Sequence, residues 1–145
     1  SEWSDLVDGM RSGRVCRYDA FDRFQKLRRK GCLQGMGIAY FTKLIYFLGA
    51  EPHGYILDQW TARSTNLLCG KEKINLTWGK YQNKRFAVVN DSNTVTNYSS
   101  FCDVIVELTS LCNHLSDPGE TEAALFSEGR GKGRWRSYVV ENDVI

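Results

Sequence analysis

Apolar residues recur at helical spacing along most of this chain. Trp3, Leu6, Val7 and Met10 fall on one face of a first helix, which Ser12-Gly13 ends. Phe21, Phe24 and Leu27 continue the pattern over residues 18–30. Asp19 near the start and a basic last turn both suit the helix dipole there. Gly31 is a natural stop, because the residue just past a helix end often needs positive φ. Gly35 and Gly37 then mark a tight connection. Residues 38–48 predict a strongly apolar helix buried on most sides, and a loop containing Pro52 follows. The next helix is expected over 57–68, with Leu57, Trp60, Leu67 and Leu68 facing inward.

Periodicity is weaker between 71 and 95. Ile74-Asn-Leu-Thr-Trp78 and Arg85-Phe-Ala-Val-Val89 read as a small β-hairpin, or as irregular structure with short helical turns. Asn97 or Ser99 is the expected cap of a long helix reaching 115, with Phe101, Val104, Ile105, Leu108, Leu111 and Cys112 on its apolar face. Asp117-Pro-Gly-Glu opens a helix over 120–128, since Asp and an early Glu suit an N-terminus. A glycine-rich break at 129–133 precedes an apolar segment, 135–140, that should dock on the core. The fold class is mainly α, with a small β-hairpin near 74–89, in one domain over 1–145.

Composition agrees with an ordinary globular domain: 145 residues, 42% hydrophobic and 12% aromatic. The longest apolar run, 40–50, is interrupted by Thr42 and Lys43 and is too short for a bilayer, so no membrane association is expected. Ser-Glu-Trp-Ser-Asp at the N-terminus lacks the basic start and apolar stretch of a signal peptide, and the expected location is cytoplasmic. The five cysteines (Cys16, Cys32, Cys69, Cys102, Cys112) form no C-x-x-C, and His53 and His114 are far apart in sequence. Reduced, mostly buried thiols fit better than a zinc or iron–sulfur site.

The net charge of +2 is small, but its distribution is uneven. Arg11, Arg14, Arg17, Arg23, Lys26, Arg28, Arg29 and Lys30 make the first thirty residues basic. Arg130, Lys132, Arg134 and Arg136 form a second cluster. Such clusters can follow a phosphate backbone, and solvated helix faces look the same.

The segment Leu33-Gln-Gly-Met-Gly-Ile-Ala resembles the helix-hairpin-helix of the DNA base-excision glycosylases, whose usual form is Leu-Pro-Gly-(apolar)-Gly, here with Gln34 in the place of proline. The motif would span about 18–48. Glycines at 35 and 37 let the backbone approach a phosphate, and the helix N-terminus at Ile38 offers N–H donors to it. Gly35, Gly37, Ile38 and Lys43 are therefore the expected DNA-phosphate contacts. The resemblance also implies a monovalent cation, K+ or Na+, held by the carbonyls of Gly31, Leu33 and Met36; no other cofactor is implied.

Gly54-Tyr-Ile-Leu-Asp58-Gln-Trp60 matches the family's register for a catalytic aspartate opening the next helix. Asp58 read alone is equally a plain N-cap. Where bifunctional members carry a Schiff-base lysine, this chain has Ala39; Lys43 lies one turn further and reads better as a solvated or phosphate-contacting cation. The implied chemistry is monofunctional: Asp58 stabilises positive charge on the sugar and orients water to C1′. A base pocket needs a stacking aromatic. Tyr40, Trp60, Trp78, Phe126 and Trp135 are candidates, Gln59 is a hydrogen-bonding neighbour, and Arg63 could pair with a carboxylate or phosphate or lie at the surface.

The resemblance is closest to bacterial proteins of the 8-oxoguanine DNA glycosylase fold, over 18–68 and more loosely beyond. It implies a monomeric enzyme that excises a damaged or modified base from duplex DNA, in repair or in defence against modified foreign DNA. The alternatives are a non-catalytic DNA-binding module of the same fold and a helical protein-interaction domain.

Overall fold

In the computed structural model, residues 2–50, 54–126 and 133–143 are described. Among them the chain order is α1 (Glu2–Arg11), α2 (Arg17–Arg29), α3 (Ile38–Leu48), α4 (Gln59–Cys69), β1 (Leu76–Tyr81), β2 (Lys84–Val89), α5 (Val95–Leu111), α6 (Pro118–Phe126) and α7 (Arg134–Glu141). The fold is mainly helical with one small antiparallel hairpin, as the sequence pattern predicts.

Aromatic side chains from α2, α3 and α5 build the core. Phe21 stacks on Tyr98 at 4.6 Å between ring centroids and meets Phe41 edge-on at 5.1 Å, while Phe24 stacks on Phe41 at 5.6 Å. Edge-on and offset rings satisfy their quadrupoles as well as burying area. Leu6 and Met10 of α1 and Leu57 close the cluster.

Gly31 and Gly35 both sit at positive φ, +78° and +75°, where a side chain would be strained. Gly31 N–H donates to Arg28 O and Cys32 N–H to Leu27 O, the paired bonds of a Schellman end, so α2 stops where the glycine predicts. Gly37 behaves differently. It is extended (φ −78°, ψ −179°) and caps α3 with no side-chain bond.

Several boundaries and faces depart from the pattern. Helix α3 is buried on one face only, through Ile38, Phe41, Thr42 and Ile45; Tyr40 and Phe47 are exposed. The cap of α5 is Thr94, with Asn97 at its third helical position completing a capping box, and the helix ends at Leu111, which is exposed. Asn97 thus contributes to the cap without being the cap residue. The first strand lies slightly later than 74–78, and the second nearly coincides with 85–89. The hairpin turns through Gln82-Asn83, both at positive φ, which matches the two-residue turn favoured by strand twist. The cysteines are not mostly buried: Cys102 is, but Cys16 and Cys32 are exposed. Residues 129–132 and the end of the helix expected over 120–128 lie outside the described residues, as do Pro52, His53, Arg130 and Lys132. No described helix is long and apolar enough to cross a membrane.

The greatest departure is α4. Its buried residues are Thr61, Ala62, Arg63, Ser64, Thr65 and Asn66, whereas Trp60 is half-buried and Leu68 exposed. Burying polar groups requires partners, and most are present. Ser64 Oγ donates to Leu125 O at 2.9 Å and accepts Trp135 Nε1–H at 2.9 Å. Asn66 Oδ1 accepts Lys73 and Ile74 N–H, and its Nδ2 donates to Ile74 O. Arg63, only 4% exposed, forms a two-point ion pair with Asp143 at 2.9 and 2.5 Å, so it is not a surface residue. Helix α4 is thereby the polar spine on which α6, α7 and the hairpin dock.

Candidate active site

The stretch Tyr55-Ile56-Leu57-Asp58 joins α3 to α4 in extended form, and other elements hold its backbone at nearly every polar group. Tyr98 Oη donates to Tyr55 O at 3.0 Å. Ile56 N–H donates to Glu122 Oε1 at 3.1 Å, and Ile56 O accepts Thr61 Oγ1–H at 2.8 Å. Leu57 N–H donates to Thr42 Oγ1 at 3.1 Å, and Asp58 N–H to Thr61 Oγ1 at 3.0 Å. Gly54 lets this stretch press close: a Cβ there would meet Tyr98 Oη at 2.7 Å and collide with Ile45 Cγ2. The position of Asp58 is therefore set by α3, α4, α5 and α6 together.

Asp58 is the N-cap of α4. Its Oδ1 accepts Trp60 N–H at 2.7 Å and Thr61 N–H at 3.0 Å, and Thr61 completes a capping box. Capping fixes one carboxylate oxygen and with it the orientation of the other. Asp58 is also a wall of a cavity of about 250 Å³, shared with Lys43 and Tyr46 of α3, Ile56, and Glu122 and Phe126 of α6. A larger, mostly apolar cavity of about 600 Å³, walled by Leu68, Leu108, Leu125 and Trp135, holds none of the other predicted site residues.

Of the residues singled out from sequence, Asp58, Lys43 and Phe126 meet at the smaller cavity. Tyr40 does not line it. It is exposed on α3, with Lys43 Nζ 5.6 Å from its ring centroid. Trp60 also stands outside, with the guanidinium carbons of Arg136 and Arg63 over its ring, 4.2 and 4.6 Å from the centroid. Arg63 and Arg85 lie over Trp78 in turn, at 5.4 and 4.6 Å, extending an alternating stack that ties the hairpin to α4. Gln59 is partly exposed beside Asp58 and Trp60.

At the hairpin, Gly35, Gly37 and Ile38 precede or open α3, and the glycine cap leaves its first-turn N–H groups without a side-chain acceptor. Arg28 reaches the same place: its Nη1 is 3.5 Å from where a Gly37 Cβ would stand, and it pairs with Asp91. Leu33 O accepts Met36 N–H at 3.3 Å, so one of the three carbonyls expected to hold a cation, those of Gly31, Leu33 and Met36, already closes a turn within the loop. Three neutral carbonyl oxygens from one loop suit a hard cation. Among the described residues no cluster of three or more His, Cys, Asp or Glu could hold a metal ion.

Residues 7–126 match the family described as "Putative 8-oxoguanine DNA glycosylase OGG-like protein". The chain belongs to this family. The match covers the hairpin, Asp58 and all of the residues named for the smaller cavity. The assignment carries a DNA glycosylase-like function with DNA as the substrate at the level of the family, and such proteins need no cofactor. No curated protein and no solved structure matches the chain.

Sequence reasoning missed two residues of this candidate site. Thr42 is fully buried in a mostly apolar helix and holds Leu57 N–H. Glu122 is 7% exposed, holds Ile56 N–H, and leaves Oε2 without a hydrogen-bond partner. Burial pushes the Glu122 carboxyl up to about 7; the Asp58 charge adds to the rise and the Ile56 N–H opposes it. A hydroxyl in an apolar run was the available signal for Thr42. Nothing in the sequence pattern separates Glu122 from the solvated glutamates around it.

Proposed function

We propose that this chain is a monofunctional DNA glycosylase that grips duplex DNA through the 30–38 hairpin and hydrolyses the N-glycosidic bond of a modified base. The observation that supports this most is the shared cavity. The aspartate that follows the hairpin and the lysine on its second helix line one recess, with Phe126 at its wall. A recess is what an extruded nucleotide requires, since the bond to be cut is inaccessible inside the duplex.

In this reading the N–H groups at Gly37 and Ile38 and the Lys43 ammonium take backbone phosphates. Arg28 exchanges Asp91 for a phosphate as DNA arrives. Asp58, oriented by its cap bonds, places its other oxygen against the sugar, where positive charge develops as the base leaves. The same carboxylate orients water to C1′. Ala39 supplies no amine, so the sugar is attacked by water and not by the chain. Phe126 offers a ring to the extruded base. A hairpin cation at Gly31, Leu33 and Met36 would add positive charge near the phosphate and take no part in bond cleavage. The protein acts as a monomer on DNA carrying a damaged or modified base.

One observation favours the alternative of a non-catalytic DNA-binding module: Asp58 already has a complete structural role as a cap. The test is incubation of the protein with duplexes that each carry one modified base, followed by assay for abasic sites. Abasic sites on one or more duplexes support the enzyme; salt-sensitive binding with none supports the module.

A further inference from the structure

We propose that Glu122 is a specificity-determining residue, whose unpartnered Oε2 hydrogen-bonds the extruded base in the cavity that Asp58 and Lys43 share. This rests on the glycosylase reading and adds a recognition role that the hairpin and Asp58 do not supply.

The geometry divides the two carboxyl oxygens. Oε1 accepts Ile56 N–H at 3.1 Å, which fixes the side chain and makes this oxygen the carbonyl-like one. Oε2 is buried and has no partner, although a buried polar atom left so costs stability. Glu122 is part of the cavity wall, and an occupant that reaches its enclosed Oε2 supplies the missing bond.

The proton state decides which occupant. The groups facing Glu122 are Asp58, whose charge opposes ionisation, and Tyr55, backed by Arg17; Lys43 and Tyr46 line the same cavity from α3. Burial outweighs the Ile56 hydrogen bond and pushes the carboxyl up to about 7, so it is mostly neutral below that pH. With Oε1 committed as an acceptor, the proton lies on Oε2, and the cavity presents a donor. A base carrying a carbonyl oxygen at that edge is accepted. A base carrying an amino group there meets donor against donor. Discrimination by an unsatisfied buried polar group is steep compared with discrimination by shape. Above pH 7 the ionised carboxylate no longer offers that donor.

The test is competition binding on the full chain. Duplexes carry hypoxanthine or adenine, which differ in the keto or amino group at C6, on 2′-fluorinated sugars that resist cleavage. A tetrahydrofuran abasic duplex is the labelled reference. The wild type should prefer hypoxanthine roughly tenfold or more at pH 6.5 and lose that preference by pH 8.5. Glu122→Gln keeps both the acceptor for Ile56 and a permanent donor, so its preference should persist at pH 8.5. Glu122→Ala should show none at either pH. Equal affinities for hypoxanthine and adenine in the wild type, or a preference unchanged in Glu122→Ala, would overturn the proposal. Failure to bind even the abasic duplex would overturn the glycosylase reading beneath it.

Discussion

Thr42→Val isolates the bond that ties the hairpin helix to the Asp58 segment. Thr42 Oγ1 donates to Ile38 O at 2.8 Å and accepts Leu57 N–H at 3.1 Å. Valine keeps the β-branch, the volume and nearly the helix propensity, so packing changes little. What is lost is the acceptor for Leu57 N–H, and Leu57 is fully buried, so water cannot replace it. Stranding one buried donor costs about 1–3 kcal/mol. For a domain of this size each kcal/mol lowers Tm by about 2–4 °C, so about 2 kcal/mol gives a fall of roughly 4–8 °C. Urea unfolding at 25 °C should show a lower midpoint with an unchanged slope. Thr42→Ser, which keeps the hydroxyl and loses a methyl, should retain the hydrogen bond and fall by only about 1 kcal/mol. On any duplex that the protein cuts, Thr42→Val should also be slower, because Asp58 follows the loosened segment. A Thr42→Val protein as stable as wild type, within about 0.5 kcal/mol, would refute the claim that this bond positions the site.

Gly37→Glu should weaken binding to all DNA sequences alike, roughly tenfold, in filter binding or anisotropy, because it faces a phosphate with a carboxylate and diverts Arg28; Gly37 has ordinary φ and room for a Cβ, so circular dichroism should be unchanged. Borohydride should trap no covalent adduct on a duplex the protein cuts, since Ala39 has no amine; an adduct that disappears in Lys43→Ala would make Lys43 the nucleophile. Glu122→Gln should raise stability at pH 8 and change it little at pH 5, as measured by urea unfolding. A carboxyl whose folded value is raised from 4.5 to about 7 stabilises the fold below the lower value, and that contribution disappears as pH rises through the upper one. Its size is at most about 3 kcal/mol.

The helices of this chain were legible wherever the buried face is apolar. Residues of α1, α2 and α5 such as Leu6, Phe21 and Ile105 face the core at the predicted spacing. Gly31 ends α2 for the anticipated reason, its positive φ. The pattern misled at α4, where Thr61, Ser64 and Asn66 are buried because backbone carbonyls outside the helix accept from them, and Arg63 because Asp143 pairs with it. Hydropathy cannot register such partners. It misled again at α3, whose apolar residues exceed what one buried face holds and leave Tyr40 and Phe47 exposed. Asp58 was found through its place after the hairpin. Glu122 was not, because its significance depends on α6 folding back across sixty-odd residues onto Ile56.

The central claim is that the Asp58 carboxylate drives excision, beyond its service as a helix cap. The most direct measurement compares wild type with Asp58→Asn in single-turnover release of abasic sites from a duplex that the wild type cuts. Asparagine also caps helices well, so the fold and α4 should persist. The account predicts a rate loss of roughly 10²–10³ or more, with DNA affinity within a few-fold of wild type. An Asp58→Asn protein that excises the base at the wild-type rate would contradict it.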